Sequence, residues 1–179
     1  MVNTERIFFR VKEFIAKKEL IKKNDSVLLA LSGGADSVCL LHLLIDLQKL
    51  TGFSLRALHV NHMLRAEQSM QDEEFCRELC KAKEIPLIVR RAKIASIAQK
   101  NKVSLEVAGR LERYRILEVL KKKYQVDKIA LAHHAGDQAE TLCMRFFKGS
   151  MWEGLAGIKS SENSLVRPLL LLQKEEILA

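Results

Sequence analysis

The residues Ser32-Gly33-Gly34-Ala35-Asp36-Ser37 follow the apolar run 27–31 directly and open into the helix-like stretch 38–44. A strand that ends in a glycine pair and leads into a helix gathers bare backbone N–H groups around one point. That point is also the positive end of a helix dipole, so it suits a phosphate. Gly33 and Gly34 tolerate backbone angles closed to other residues and let an anion approach closely. Ser32 and Ser37 add hydroxyl donors. Asp36 repels a phosphate unless a cation lies between them, so the loop implies a nucleotide phosphate together with a divalent metal, most simply magnesium. The Gly-Lys-Ser/Thr ending of the Walker loop is absent, and so is the Gly-x-Gly-x-x-Gly spacing of dinucleotide folds.

Three more groups of polar residues could share that site. His59-Val60-Asn61-His62 closes a second apolar run, and His133-His134-Ala135-Gly136-Asp137-Gln138 follows a later one, with Glu140 and Thr141 behind it. Glu106, Arg110 and Arg113 fall on one face of a helical pattern, where Glu106 could direct an arginine at a nucleotide. Taken singly, a histidine is more often structural than functional. The spacing fits no structural zinc site.

The elements that must position these residues alternate. The periodicity predicts helices over 3–18, 36–49, 68–84, 94–100, 104–123 and 137–148, and strands over 27–31, 55–60, 86–89 and 128–132. Phe75, Leu79 and Ala82 are expected to face inward on the third helix. Leu105, Ala108, Ile116, Val119 and Leu120 do so on the fifth, and Ala139, Leu142, Cys143, Phe146 and Phe147 on the last. Ser104 reads as an N-cap. Gly109 in mid-helix costs about 0.5–1 kcal/mol against alanine and implies a close neighbour. Strands alternating with helices give an α/β fold: a doubly wound, Rossmann-like parallel sheet of four or five strands. Ligands bind at the carboxyl ends of such strands, where the loop and both histidine clusters fall.

With 179 residues the chain suits one α/β domain. No apolar run is long enough for a membrane span, and the start is no secretory signal. Cys39, Cys76, Cys80 and Cys143 form no Cys-x-x-Cys pair, and reduced thiols in a cytoplasmic protein are expected. The net charge of +8 exceeds what a nucleotide alone requires and favours a polyanion such as RNA.

The loop resembles that of the pyrophosphate-loop ATP pyrophosphatases, which cleave ATP between its α and β phosphates. A longer ordered set is more specific. It comprises Ser32 to Ser37, His59-Val-Asn-His-Met-Leu-Arg65, Ser104-Leu-Glu-Val-Ala-Gly-Arg110 with Arg113-Tyr114, and Ala132-His-His-Ala-Gly-Asp-Gln-Ala-Glu-Thr141. Gly149-Ser150, Gly154-Leu-Ala-Gly157 and Arg167-Pro-Leu-Leu170 complete it. From about residue 26 onward this set resembles the catalytic domain of the tRNA(Ile)-lysidine synthetases, whose fold is of the adenine nucleotide alpha hydrolase type. These bacterial ligases use ATP to adenylate the wobble cytidine of an isoleucine tRNA with a CAU anticodon. L-lysine then attacks through its side-chain amine and expels AMP, leaving lysidine.

The resemblance implies ATP and magnesium as cofactors and tRNA(Ile) and L-lysine as partners. It implies that Ser32, Gly33, Gly34, Ala35, Asp36 and Ser37 cradle the phosphates, with His59, Asn61 and His133 beside the nucleotide. Asp36 and Asp137 become the key acids and the metal ligands. Arg113 stabilises the transferring phosphate, and Asp137 with Glu140 receives the lysine. Family members often carry Asp-Asp-Gln where this chain has Gly136-Asp137-Gln138, which puts the essential acid on Asp137. The chain ends in the pattern of a new helix, whereas the family's catalytic domain continues and most members add tRNA-binding domains. Residues 1–179 are therefore expected to be one catalytic domain, truncated at its C-terminus, that binds ATP but is weak or inactive on tRNA. A tRNA thiolase, an amidating NAD or GMP synthetase, and a nucleotide-binding module without turnover are the alternatives. The oligomeric state is left open, a homodimer included.

Overall fold

The structure, a computed structural model, describes residues 4–64, 66–147 and 157–178. Helix α1 (Thr4–Lys17) buries Ile7, Val11 and Ile15. Then follow β1 (Ser26–Ala30), α2 (Ala35–Thr51), β2 (Ser54–Asn61), α3 (Ala66–Ala82) and β3 (Leu87–Arg91). The second half comprises α4 (Ile94–Asn101), α5 (Leu105–Lys123), β4 (Lys128–Ala130), α6 (Ala135–Phe147), β5 (Ser161–Glu162), β6 (Leu165–Val166) and α7 (Lys174–Leu178). Gly52, at φ 77°, ends α2 in the left-handed conformation. Ser104 caps α5 by accepting a hydrogen bond from the Val107 amide.

The sheet has six strands in the order β3-β2-β1-β4-β6-β5. The first five in that order are parallel, and β5 pairs antiparallel with β6. A two-residue strand carries no periodicity, which is why neither β5 nor β6 is legible in the sequence. Side chains alternate across β1. Val27 and Leu29 join a core with α1, α2 and the buried Leu169 and Leu172, whereas Leu28 joins a second core with Ile94, Leu117 and Leu120. On the outer edge strand the Arg90 guanidinium donates to the Val89 carbonyl at 3.0 Å.

Three expected helix faces differ. On α3 the inward residues are Glu73, Cys76 and Cys80, while Phe75 and Ala82 are exposed. The helix is rotated because an ion-paired glutamate, rather than a phenyl ring, occupies its inner face. On α5, Leu105 and Val119 are exposed, and Gly109 and Leu117 are buried in their place. Gly109 packs on α4: a Cβ there would stand 3.9 Å from Ile94 and 3.8 Å from the His62 ring. On α6 no residue is buried, and Phe146 and Phe147 are exposed. Arg65, Gly149, Ser150, Gly154 and Ala179 lie outside the described residues.

Candidate active site

In this strand order β1 and β4 are neighbours whose following helices diverge, and such a switch point opens a crevice beyond the strand ends. The loop after β1 and the histidines after β4 flank it. Gly33 has φ +94°, and a Cβ there would stand 3.4 Å from the Cys76 thiol, so the turn needs glycine both for its backbone angle and for contact with α3. The buried Ser37 hydroxyl holds the loop together. It accepts from the Ser32 and Gly33 amides, both at 3.2 Å, and donates to the Gly34 carbonyl at 2.9 Å. The Ser32 hydroxyl lies 3.1 Å from it and accepts from the Gly34 amide. The loop amides thus already converge on oxygen atoms, the arrangement an anion would replace.

Asp36 begins α2. Its Oδ1 lies 2.5 Å from the Lys174 ammonium and 4.0 Å from His134 Nε2. On the other side, His134 Nε2 is 3.8 Å from Asp137 Oδ2, which also accepts from the His134 amide at 2.7 Å. His134 Nδ1 accepts from the Gly136 amide, which leaves the ring proton on Nε2, between the two carboxylates. A Cβ at residue 136 would come within 2.7 Å of that ring, so glycine here is what lets His134 fold over the start of α6. Among the described residues no three His, Cys, Asp or Glu side chains are gathered for a metal. Two carboxylates flanking a phosphate loop do fit magnesium, which takes one or two protein carboxylates and completes its shell with phosphate and water.

The cleft, about 580 Å³, is lined by Ser32, Asp36 and Ser37 after β1, with His59 and Asn61 from β2, His62 just after it, Arg110 and Arg113 from α5, and His133 after β4. That volume suits a nucleotide-sized ligand. His59 is buried, and its Nδ1 lies 3.0 Å from the Leu31 carbonyl, so Nδ1 donates and Nε2 carries the lone pair. That Nε2 is buried without a partner. His133 is the converse. Its Nδ1 accepts from Arg167 Nε, leaving Nε2 as a donor, and burial holds its pKa below the ordinary value, opposed by Asp137. His59 Nε2 is thus an acceptor buried behind the lining, while His133 gives the cleft a fixed imidazole donor suited to a hydroxyl or ring nitrogen of a nucleoside. His62 is also held low, by burial and then by Arg113 and His59.

Asn61 shapes the cleft from beneath. Its amide donates to the Ser69 carbonyl and to Glu73, and its oxygen accepts from the Met63 amide. Glu73 accepts from Arg91 and Arg77 as well, and these bonds, that from Arg91 foremost, bring its carboxyl down to about 2 against the cost of burial.

The structure thus gathers Ser32, Asp36, Ser37, His59, Asn61, Arg113 and His133 into one cleft lining. Gly33, Gly34 and Ala35 form the loop at its margin, and Asp137 joins through His134. Glu140 is exposed on α6, outside the lining, and Glu106 makes no ion pair with Arg110 or Arg113 among the described residues. Sequence reasoning missed Asp72, Lys174 and the placement of His134. Asp72 lies on the helix whose face was misassigned. Lys174 is 138 residues from its partner, and no local pattern could signal the pairing.

Comparison with known proteins agrees with this geometry. Among solved structures, the chain is similar in fold to the U34-tRNA thiolase NcsA from Methanococcus maripaludis with its [4Fe-4S] cluster. The TM-score is 0.78 at 21% identity, covering 97% of this chain and 63% of that one. It is also similar to the NH3-dependent NAD synthetase from Campylobacter jejuni, with a TM-score of 0.64 at 17% identity over 99% and 71% of the two chains. In sequence it is 48% identical over 169 residues to the tRNA(Ile)-lysidine synthase of Clostridium perfringens, covering 94% of this chain and 36% of the relative. It is 41% identical over 164 residues to that of Clostridium acetobutylicum, covering 91% and 36%. The chain thus spans about a third of the length of these relatives. The PP-loop domain matches residues 3–179, and with the loop, its acids and the flanking crevice all in place, the chain belongs to the PP-loop domain family.

Proposed function

We propose that this chain is the ATP-using catalytic domain of a cytoplasmic tRNA(Ile)-lysidine synthase, with residues 1–179 folding as one unit. The observation that carries this is the convergence of the phosphate loop and both histidine clusters on one cleft, in a chain 48% identical to such an enzyme over 94% of its length. In this reading ATP lies with its phosphates on the Ser32–Ser37 loop and its nucleoside between His59 and His133. Asn61 holds the turn that aims the His59 wall. Asp36 and Asp137 hold magnesium, which neutralises phosphate charge when bound. Arg113 faces the phosphate that transfers to the wobble cytidine. Asp137 and Glu140, three residues apart on α6, offer two carboxylates to the ammonium of the incoming lysine.

The thiolase alternative is not favoured. Cys76 and Cys80 are buried in α3, where burial pushes the Cys76 thiol up to about 12, while Cys143 is exposed on α6. A nucleophilic thiol needs the opposite shift. The test is incubation with ATP, lysine and a CAU-anticodon tRNA(Ile). Lysine-dependent release of AMP and a tRNA nucleoside heavier by one lysine residue are expected, at a low rate for residues 1–179 alone. Sulfur incorporation, or ATP consumption independent of lysine and tRNA, overturns the proposal.

A further inference from the structure

Lys174 is the first residue of α7, far along the chain from the phosphate loop, yet its ammonium is the nearest cation to Asp36. Its backbone is firmly anchored. Leu169 and Leu172 just before it are fully buried, and the Leu172 carbonyl accepts from the Ala135 amide at the start of α6. Glu176 accepts from the Gln173 amide at 2.9 Å and pairs with Arg10 of α1, which also donates to the Leu171 carbonyl. The lysine side chain reaches Asp36 at the loop and stays 40% exposed. A fixed base, with three rotatable donors on a long four-carbon stem, suits a charge that exchanges one oxygen partner for another.

Resting on the ATP reading above, we propose that Lys174 is a substrate-contacting residue of the pyrophosphate side. It neutralises Asp36 while the site is empty and engages the β- and γ-phosphate oxygens once Asp36 is committed to the metal. In the transfer, the bond between the α-phosphorus and the cytidine forms, and the bond from that phosphorus to the α–β bridging oxygen breaks. The electron pair stays on the leaving pyrophosphate. The ammonium offsets the added charge through hydrogen bonds, and no proton need transfer. Arg10 and Glu176 are positioning residues, acting only through the base of α7.

Calorimetry on the 179-residue chain with ATP, ADP and AMP separates this role from a structural one. Lys174→Met is expected to weaken ATP and ADP binding roughly ten- to hundredfold, the scale of a lost charge-assisted hydrogen bond, and to leave AMP within about twofold. Lys174→Arg restores most of the loss. Without nucleotide, Mn2+ binding followed by electron paramagnetic resonance tightens in Lys174→Met, because Asp36 has lost its competing cation. Equal losses for ATP and AMP, or an ATP affinity unchanged in Lys174→Met, overturn the role of the lysine alone. A wild-type chain that binds no ATP overturns the nucleotide reading and the lysine's role with it.

Discussion

At the scale of single residues, two carboxylates share one imidazole beside the phosphate loop. Asp36 and Asp137 both face His134 Nε2, and each lies in the first turn of a helix that follows a strand. Asp36→Ala and Asp137→Ala are each expected to lower pyrophosphate release at least about 100-fold, the cost of losing a preorganised electrostatic contact. Thermal melts should stay within a few degrees of wild type, since both side chains are partly exposed. Activity near wild type in either variant removes that residue from the mechanism. The placement of these acids beyond the strand ends was legible in the sequence because each follows an apolar run and lies within two residues of a glycine. The position of His134 was not, because it depends on Gly136 lacking a Cβ that would strike the ring.

At the scale of elements, α3, β2 and β3 are joined through one buried carboxylate. Glu73 on α3 accepts from Asn61 at the end of β2 and from Arg91 at the end of β3. Its carboxyl titrates at about 2, against 4.5 for the ordinary group. A depressed carboxyl contributes stability that is fully present above 4.5 and is lost as pH falls towards 2, because the unfolded chain takes up the proton first. Glu73→Gln is expected to cost about 2 kcal/mol near neutrality, and chemical denaturation should find the gap from wild type narrowing as pH falls below 4.5. A gap that stays constant across that range places the stabilisation elsewhere. The existence and order of these helices could be read from apolar periodicity, but the face of α3 could not. Periodicity ranks Phe75 above Glu73, and Arg91 of a distant strand, with Asn61 and Arg77, reverses that order.

At the scale of the whole molecule, the charge of +8 includes a basic run far from the cleft. The run Lys121-Lys122-Lys123 ends α5 beside Tyr124, whose ring lies under Arg56 near the start of β2. The Asp127 amide there bonds the Ser26 carbonyl, so this basic cluster lies at the amino ends of the strands, opposite the cleft. Replacing the three lysines by glutamine should leave tRNA affinity within about twofold at physiological salt. Arg110→Ala, at the cleft, should weaken it and lower the slope of log affinity against log salt by about 1. The reverse ranking in filter binding moves the RNA surface to the far side. Composition points to a polyanion but not to its side, because net charge carries no direction. The sheet's margins bear on a different property, colloidal behaviour. The Ala57 amide bonds the Pro86 carbonyl and the Ala92 amide bonds the Asn61 carbonyl, so even-numbered residues of the edge strand β3 point at β2, and the Val89 carbonyl points outward. Arg90 covers that oxygen with its own guanidinium, and the opposite margin, β5, is two residues long. The β5 margin is too short to template a strand from another molecule, and on β3 the charged Arg90 covers the middle one of the outward-facing carbonyls. Arg90→Thr uncovers it, and light scattering on concentrated samples should then register growing particles where the parent stays monodisperse.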